Sequence, residues 1–152
     1  MEILTQFSVF MANKPGVLAQ ICRAMAKEKI NITAMSMADT AENGVLRLTA
    51  DAADSARAVL GRLNVPLTET EVLSVSVPNR IGAVADLCDR LSRSHVHISY
   101  MYGTTGGVGA RTTVIFKVND VRKAMKAIDS PKLSTGRDMR IKLRRPVAAR
   151  RR

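Results

Sequence analysis

Residues 7–18 read Phe7-Ser8-Val9-Phe10-Met11-Ala12-Asn13-Lys14-Pro15-Gly16-Val17-Leu18. Sixty-six residues later the chain reads Leu73-Ser74-Val75-Ser76-Val77-Pro78-Asn79-Arg80-Ile81-Gly82-Ala83-Val84. Each stretch is an apolar run of β-forming residues, a turn signal ending in Gly, and the start of an apolar pattern with helical spacing. The offset continues past both stretches. Ala19 falls on Ala85, Cys22 on Cys88, Ile30 on Val96, Ile32 on Ile98, Thr33 on Ser99 and Met35 on Met101. A shared spacing held over about 30 residues reads as an internal repeat.

Working outward, the first copy continues with Val17, Leu18, Ile21, Cys22 and Met25 on one face of a helix. A second strand starts at Ile30. Glu42-Asn43-Gly44 turns the chain into a third strand at Val45. A second helix spans 51–63, with Ala56, Val59, Leu60 and Leu63 apolar, and a fourth strand covers 65–71. The second copy gives strands at 73–77, 96–102 and 112–118 and helices around 83–91 and 121–128. Its last strand, 139–144, alternates Met139, Ile141 and Leu143 with Arg140, Lys142 and Arg144. The order βαββαβ, twice over, predicts an α+β fold of two ferredoxin-like modules side by side, with antiparallel sheets and helices on one face. The modules are set at 1–70 and 71–144, and 145–152 is a basic C-terminal tail expected to be disordered. No Gly/Ser linker separates the modules, so rigid packing is expected.

The chain carries a net charge of +11 over 152 residues. Residues 140–152 hold seven Lys/Arg and no acid, so 1–139 keep 17 basic against 13 acidic residues, a net +4. The charge is therefore a property of the C-terminus. Aromatic residues make up 3%, too few for a stacking platform of the kind single-stranded nucleic acids use. The third strands offer Leu46-Arg47-Leu48 and a lone Phe116, not an RNA-binding sheet motif. Nucleic-acid binding through Arg144, Arg145 and Arg150-Arg151-Arg152 is the weaker alternative. Basic residues on the outer face of an edge strand also guard against aggregation.

No run approaches the roughly 20 apolar residues of a membrane span, and the first residues lack the pattern of a secretory leader. Cys22 and Cys88 form neither a disulfide framework nor a zinc motif. A cytoplasmic protein with reduced thiols is expected. The glycine-rich 103–109 leads into the strand 112–118, not a helix, which reads as a hairpin and not a phosphate loop. His95 and His97 stand two apart in a strand with no third ligand in prospect, a poor metal site. No nucleophile–base set is visible. The expectation is no enzyme, no cofactor, no metal and no catalytic residue.

The phrase from Val9 to Leu18, followed by Ile30-Asn31-Ile32, resembles the signature of the ACT domain. The second copy resembles it less closely: Ile81 stands in place of the Pro, and His97 in place of the Asn. With both copies covering nearly the whole chain, it looks like a stand-alone tandem ACT protein. The resemblance implies a regulatory module that binds an amino acid or similar metabolite between two ACT units. One unit supplies the loop after its first strand and the other the start of its second strand. The implied ligand-binding residues are Asn13, Lys14, Pro15, Gly16, Val17 and Leu18 with Asn31 and Ile32 in the first copy. In the second they are Asn79, Arg80, Ile81, Gly82, Ala83 and Val84 with His97 and Ile98. The departures at Ile81 and His97 leave open whether one or two sites are competent. A homo-oligomer, such as a dimer, or a partner enzyme is implied as well. The alternative is a ligand-independent interaction module or the regulatory subunit of a biosynthetic enzyme.

The residue chemistry suits the implied ligand. A carboxylate fits the N–H groups at a helix N-terminus, and Gly16 and Gly82 let it approach the backbone. Asn can accept from an ammonium or donate to a carboxylate. The plainer readings are that Asn13 and Asn79 are helix caps and that His97 is an interface residue. Tyr100 and Tyr102 share one strand face and are expected to pack under a helix or across the interface.

Overall fold

A computed structural model of the chain describes residues 1–12, 14–39, 43–105 and 110–130. The elements run β1 (Glu2–Ala12), α1 (Val17–Lys27), β2 (Ile32–Asp39), β3 (Asn43–Ala50), α2 (Ala53–Arg62), β4 (Leu67–Pro78), α3 (Ala83–Arg93), β5 (Ile98–Thr105), β6 (Arg111–Val118) and α4 (Val121–Asp129). Asn13, Glu42, the loop 106–109, the expected strand 139–144 and the tail 145–152 lie outside the described residues.

Helical periodicity places the helices. Ile21 and Met25 on α1, Leu87 and Leu91 on α3, and Ala124 and Ala127 on α4 are buried. These faces cover alternate residues of the strands. Under α1 and α2 the core gathers Phe7, Val9, Leu46, Leu48 and Leu60; under α3 and α4 it gathers Leu73, Val75, Val114 and Phe116. Each such side chain contributes about 1.5–3 kcal/mol by leaving water. Phe116 is among them, so it offers no exposed stacking surface. Both cysteines are unpaired and half-buried. Burial, and secondarily the charge of Asp89, raises the Cys88 thiol, which keeps it in its unreactive protonated form.

The two expected sheets are one. Six antiparallel strands run in the order β2-β3-β1-β4-β6-β5. The expected strands 65–71 and 73–77 form a single strand, β4, 12 residues long. Its sequence gives the reason: Leu-Thr-Glu-Thr-Glu-Val-Leu-Ser-Val-Ser-Val contains no Gly, Asn, Asp or internal Pro to stop it. β4 pairs with β1 in the register Glu2–Ser74, Thr5–Glu71 and Ser8–Thr68. Moving each residue to its counterpart in the other copy turns the first pair into the third and leaves Thr5–Glu71 unchanged. The copies are thus related by a local two-fold axis through that central pair.

The sheet curls until its edge strands β2 and β5 approach one another. The face turned away from the helices becomes an interior of its own. Gln6, Ser8, Thr49 and Ser74 are buried there, alternating along the strands with the apolar residues that face the helices.

Candidate functional site

The two loops of the repeat have one geometry. In the first, Lys14 N–H bonds Ala12 O at 2.8 Å and Val17 N–H bonds Lys14 O at 3.4 Å. In the second, Arg80 N–H bonds Pro78 O at 3.0 Å and Ala83 N–H bonds Arg80 O at 3.2 Å. Gly16 and Gly82 occupy the N-cap positions of α1 and α3 with φ of 92° and 82°. That left-handed conformation is costly for any residue with a Cβ, which is why Gly recurs while the Pro does not. A glycine at the N-cap has no side chain to offer the helix, whereas Asp120 caps α4 through the Lys123 N–H. The Asn79 N–H bonds Ala110 O at 2.9 Å. Ile81, where the first copy has Pro15, is 101% exposed.

The loops differ in charge. Arg80 pairs with Asp86 in the first turn of α3 and donates to Ile81 O at 3.1 Å. The first-copy counterparts are Lys14 and Gln20, and the first turn of α1 holds no acid. A carboxylate near a helix N-terminus offsets its partial positive charge. The N-terminus of α1 keeps that charge and α3 partly neutralises it.

Asn31 and His97 are held alike. Asn31 N–H bonds Asp51 Oδ1 at 3.0 Å and Asp51 N–H returns to Asn31 O at 3.1 Å. His97 N–H bonds Asn119 Oδ1 at 3.0 Å and Asn119 N–H returns to His97 O at 3.1 Å. The two clamps leave Asn31 and His97 exposed at the starts of β2 and β5. Asp51 and Asn119 were not among the expected residues; their shared place just after the third strand was the available signal. His95 is not in a strand. It sits in the turn after α3 with φ of 51°, so the expected side-by-side arrangement with His97 does not occur.

Register fixes where these pieces lie. Ile32 pairs with Ala50 and Ile98 with Val118. Followed across the sheet, both stand level with the Thr5–Glu71 pair. Asn31 and His97 are thus at the waist of the molecule. The first loop lies eight residues along β1 from Thr5 and the second eight residues along β4 from Glu71, each roughly 26 Å away in opposite directions. Among the described residues of one chain, neither loop meets Asn31 or His97.

The inner face of the curl joins the two copies by a polar cluster that sequence reasoning missed. Gln6, fully buried, donates through Nε2 to Tyr100 Oη at 2.7 Å and Ser8 Oγ at 3.1 Å. Its Oε1 accepts from Tyr102 Oη at 3.1 Å. The Arg47 guanidinium stacks 4.4 Å from the Tyr100 ring centre. The tyrosines therefore pack across the interface and not under a helix. Burial raises the Tyr102 phenol well above its ordinary value, with Tyr100 adding to the shift and Arg47 opposing it. Thr33 and Thr49 share a hydroxyl hydrogen bond of 2.8 Å nearby. Among the described residues, no His, Cys, Asp and Glu side chains gather as a metal site, and no helix is long and apolar enough to cross a membrane.

Two βαββα units on one sheet, each opening its first helix from a positive-φ glycine, define a paired ferredoxin-like fold. The family model for the ACT domain pair matches residues 1–141, and the chain belongs to that family. A Bacteroides thetaiotaomicron protein of known structure is 30% identical, with a TM-score of 0.77, over 83% of this chain and 86% of its own. The regulatory subunit of aspartate kinase from Thermus thermophilus, in its ligand-free form, is 16% identical with a TM-score of 0.62, over 84% of this chain and 95% of its own. The corresponding subunit from Thermus flavus is 14% identical with a TM-score of 0.57, over 84% and 91%. At those identities the Thermus proteins share the fold. No curated protein matches the chain.

Proposed function

We propose that this ACT domain pair is a non-catalytic regulatory protein of the cytoplasm that binds a small metabolite, most directly an amino acid. The proposed modules are 1–70 and 71–144, with 145–152 a tail outside them. The observation that carries the reading is the pair of helix N-termini that open from the positive-φ glycines Gly16 and Gly82. Such an end is suited to the ligand's carboxylate, and exposed Asn31 or His97 to its ammonium. The register argues that the two halves of the clamp come from different chains, because each loop lies roughly 26 Å from both waist residues of its own chain. The site is then an interface between ACT modules of two copies. The first loop is the better carboxylate site, since Asp86 already occupies the first turn of α3.

Isothermal calorimetry over the twenty amino acids tests this. At least one is expected to bind with a Kd below 1 mM, an affinity of about −4 kcal/mol or better. A flat panel would sink the amino-acid reading. One observation favours a second reading. The fully exposed Ile81 at the tip of the second loop suits a protein contact, as in the regulatory subunit of a biosynthetic enzyme. A partner that co-purifies with the chain, is lost on Ile81→Ser and is insensitive to metabolites would establish that reading instead.

A further inference from the structure

The inner face of the curl carries cations without acids to match them. Register puts Arg47, Arg111 and Lys117 there, opposite Ser8, Pro78 and Tyr100. Among the described strand side chains, Glu2 is the one acid on that face, six residues along β1 from Ser8 and about 20 Å from it. Arg111 donates to Ser76 Oγ at 2.8 Å and to Ser76 O, and Lys117 Nζ reaches Glu71 O at 3.4 Å. Arg47 differs. It is half-buried and lies over the Tyr100 ring, yet among the described residues it has no hydrogen bond or ion pair. Its guanidinium brings five N–H donors, and taking them from water is costly without an acceptor. Residues 131–152 offer little counter-charge, with nine Lys/Arg and one acidic side chain, Asp138.

The groups around Arg47 are donors too. Ser8 and half-buried Ser36 stand directly opposite it on the two neighbouring strands. Gln6 Nε2 donates to both Ser8 Oγ and Tyr100 Oη. A hydroxyl that accepts in this way keeps its own proton to give, and among the described residues neither proton has an acceptor. The repeat shows that the fold does not require this polarity. In the second copy the pair Ser74–Ile115 stands where the first has Ser8–Arg47, and Val72 stands where the first has Gln6. Val72 and Ile115 are buried, so apolar residues serve the architecture at both places.

We propose that this place is an oxyanion site, where the carboxylate or phosphate group of a small molecule sits against the Arg47 guanidinium and accepts from the Tyr100 and Ser8 hydroxyls. The planar fork of Arg matches either group through two parallel hydrogen bonds, and the Tyr100 ring holds the fork in place. Arg47 and Ser8 come from the first copy and Tyr100 from the second, so the bound anion ties the copies across the open side of the sheet. The site is complete within one chain and, because the second copy lacks its counterpart of Arg47, there is one per chain. It stands apart from the loop-and-waist site and has no group left to hold an ammonium, since Tyr102 occupies Gln6 Oε1.

Tyr100 and Tyr102 are the two tyrosines of the chain, which has no Trp, so tyrosine fluorescence reports on this place alone. The full chain is titrated with sodium phosphate, sodium acetate and, at matched ionic strength, sodium chloride. A saturable change with a Kd below about 10 mM is expected for phosphate or acetate and not for chloride. A response to phosphate alone assigns a phosphoryl group, one to acetate alone a carboxylate, and one to both the chemistry they share. Arg47→Met keeps a stem over the Tyr100 ring and removes the fork, and is expected to weaken binding about tenfold or more. Arg47→Lys keeps the charge and loses the fork, and is expected to weaken it about threefold; it carries the test if Arg47→Met fails to fold. The probes have no ammonium, so the result does not turn on the amino-acid panel. No saturable response to either oxyanion, an equal response to chloride, or a response that both Arg47 variants retain in full would overturn the proposal.

Discussion

Gln6 is the residue on which the two copies are tied, and its burial makes the tie testable. Both polar atoms of its amide are partnered, and two of the three partners come from β5, more than ninety positions away. A buried acceptor that loses its donor costs about 1–3 kcal/mol, more than the net worth of the bond itself. Tyr102→Phe removes the donor to Gln6 Oε1 and little else. The variant is expected to lose about 1–3 kcal/mol in urea unfolding, with the denaturant slope unchanged. Gln6→Leu is expected to cost at least as much, because it also strips Tyr100 Oη and Ser8 Oγ of the donor they share. If Tyr102→Phe alone costs nothing, water reaches Gln6 and the inner face of the curl is not a dry seam. Such a bond is not legible in the sequence. Tyr100 and Tyr102 can be placed on one strand face by their spacing, but which face, and that Gln6 meets it, depends on how far the sheet curls.

At the scale of elements, the helices and most strands follow from local pattern. Ile21 and Met25, or Leu87 and Leu91, stand four apart and declare the buried side of a helix. The register of β1 on β4 is a different kind of fact. It is set by a pairing between copies, and no turn residue between Leu67 and Val77 marks where one copy stops. The repeat offset exposes the two-fold relation only once the pairs are known. Sharing β4 has a consequence for stability. Ser74 has strand neighbours on both sides, Glu2 on β1 and Ile115 on β6. Proline there removes a ladder hydrogen bond in mid-sheet. Although Ser74 belongs to the second copy, Ser74→Pro is expected to lower the melting of the whole chain in one cooperative transition. Scanning calorimetry that retains a second transition at the original temperature would show two independently folding halves.

At the scale of the molecule, the candidate site was legible as a set of residues but not as an arrangement. The Asn-x-x-Gly loops and the starts of the second strands can be picked out from the repeat. Their separation cannot, because it follows from the antiparallel pairing of β1 with β4, which sends the loops to opposite ends and leaves Asn31 and His97 at the waist. On the proposed reading, a site made of a loop and a waist takes two chains, and this predicts complementation. Gly16→Ala strains the first loop, since Gly16 has φ of 92° though open space around it, a cost of about 1–2 kcal/mol that falls on the loop. Asn31→Ala with His97→Ala removes the waist groups and leaves the backbone clamps with Asp51 and Asn119 in place. Each variant alone is expected to lose at least tenfold in affinity for the amino acid found by calorimetry. Unfolded together and refolded, half the dimers are mixed, and each mixed dimer pairs one intact loop with one intact waist. About a quarter of the first-loop sites should then regain full affinity. A mixture that binds no better than its components would place both halves of the site within one chain, against the roughly 26 Å that the register puts between them.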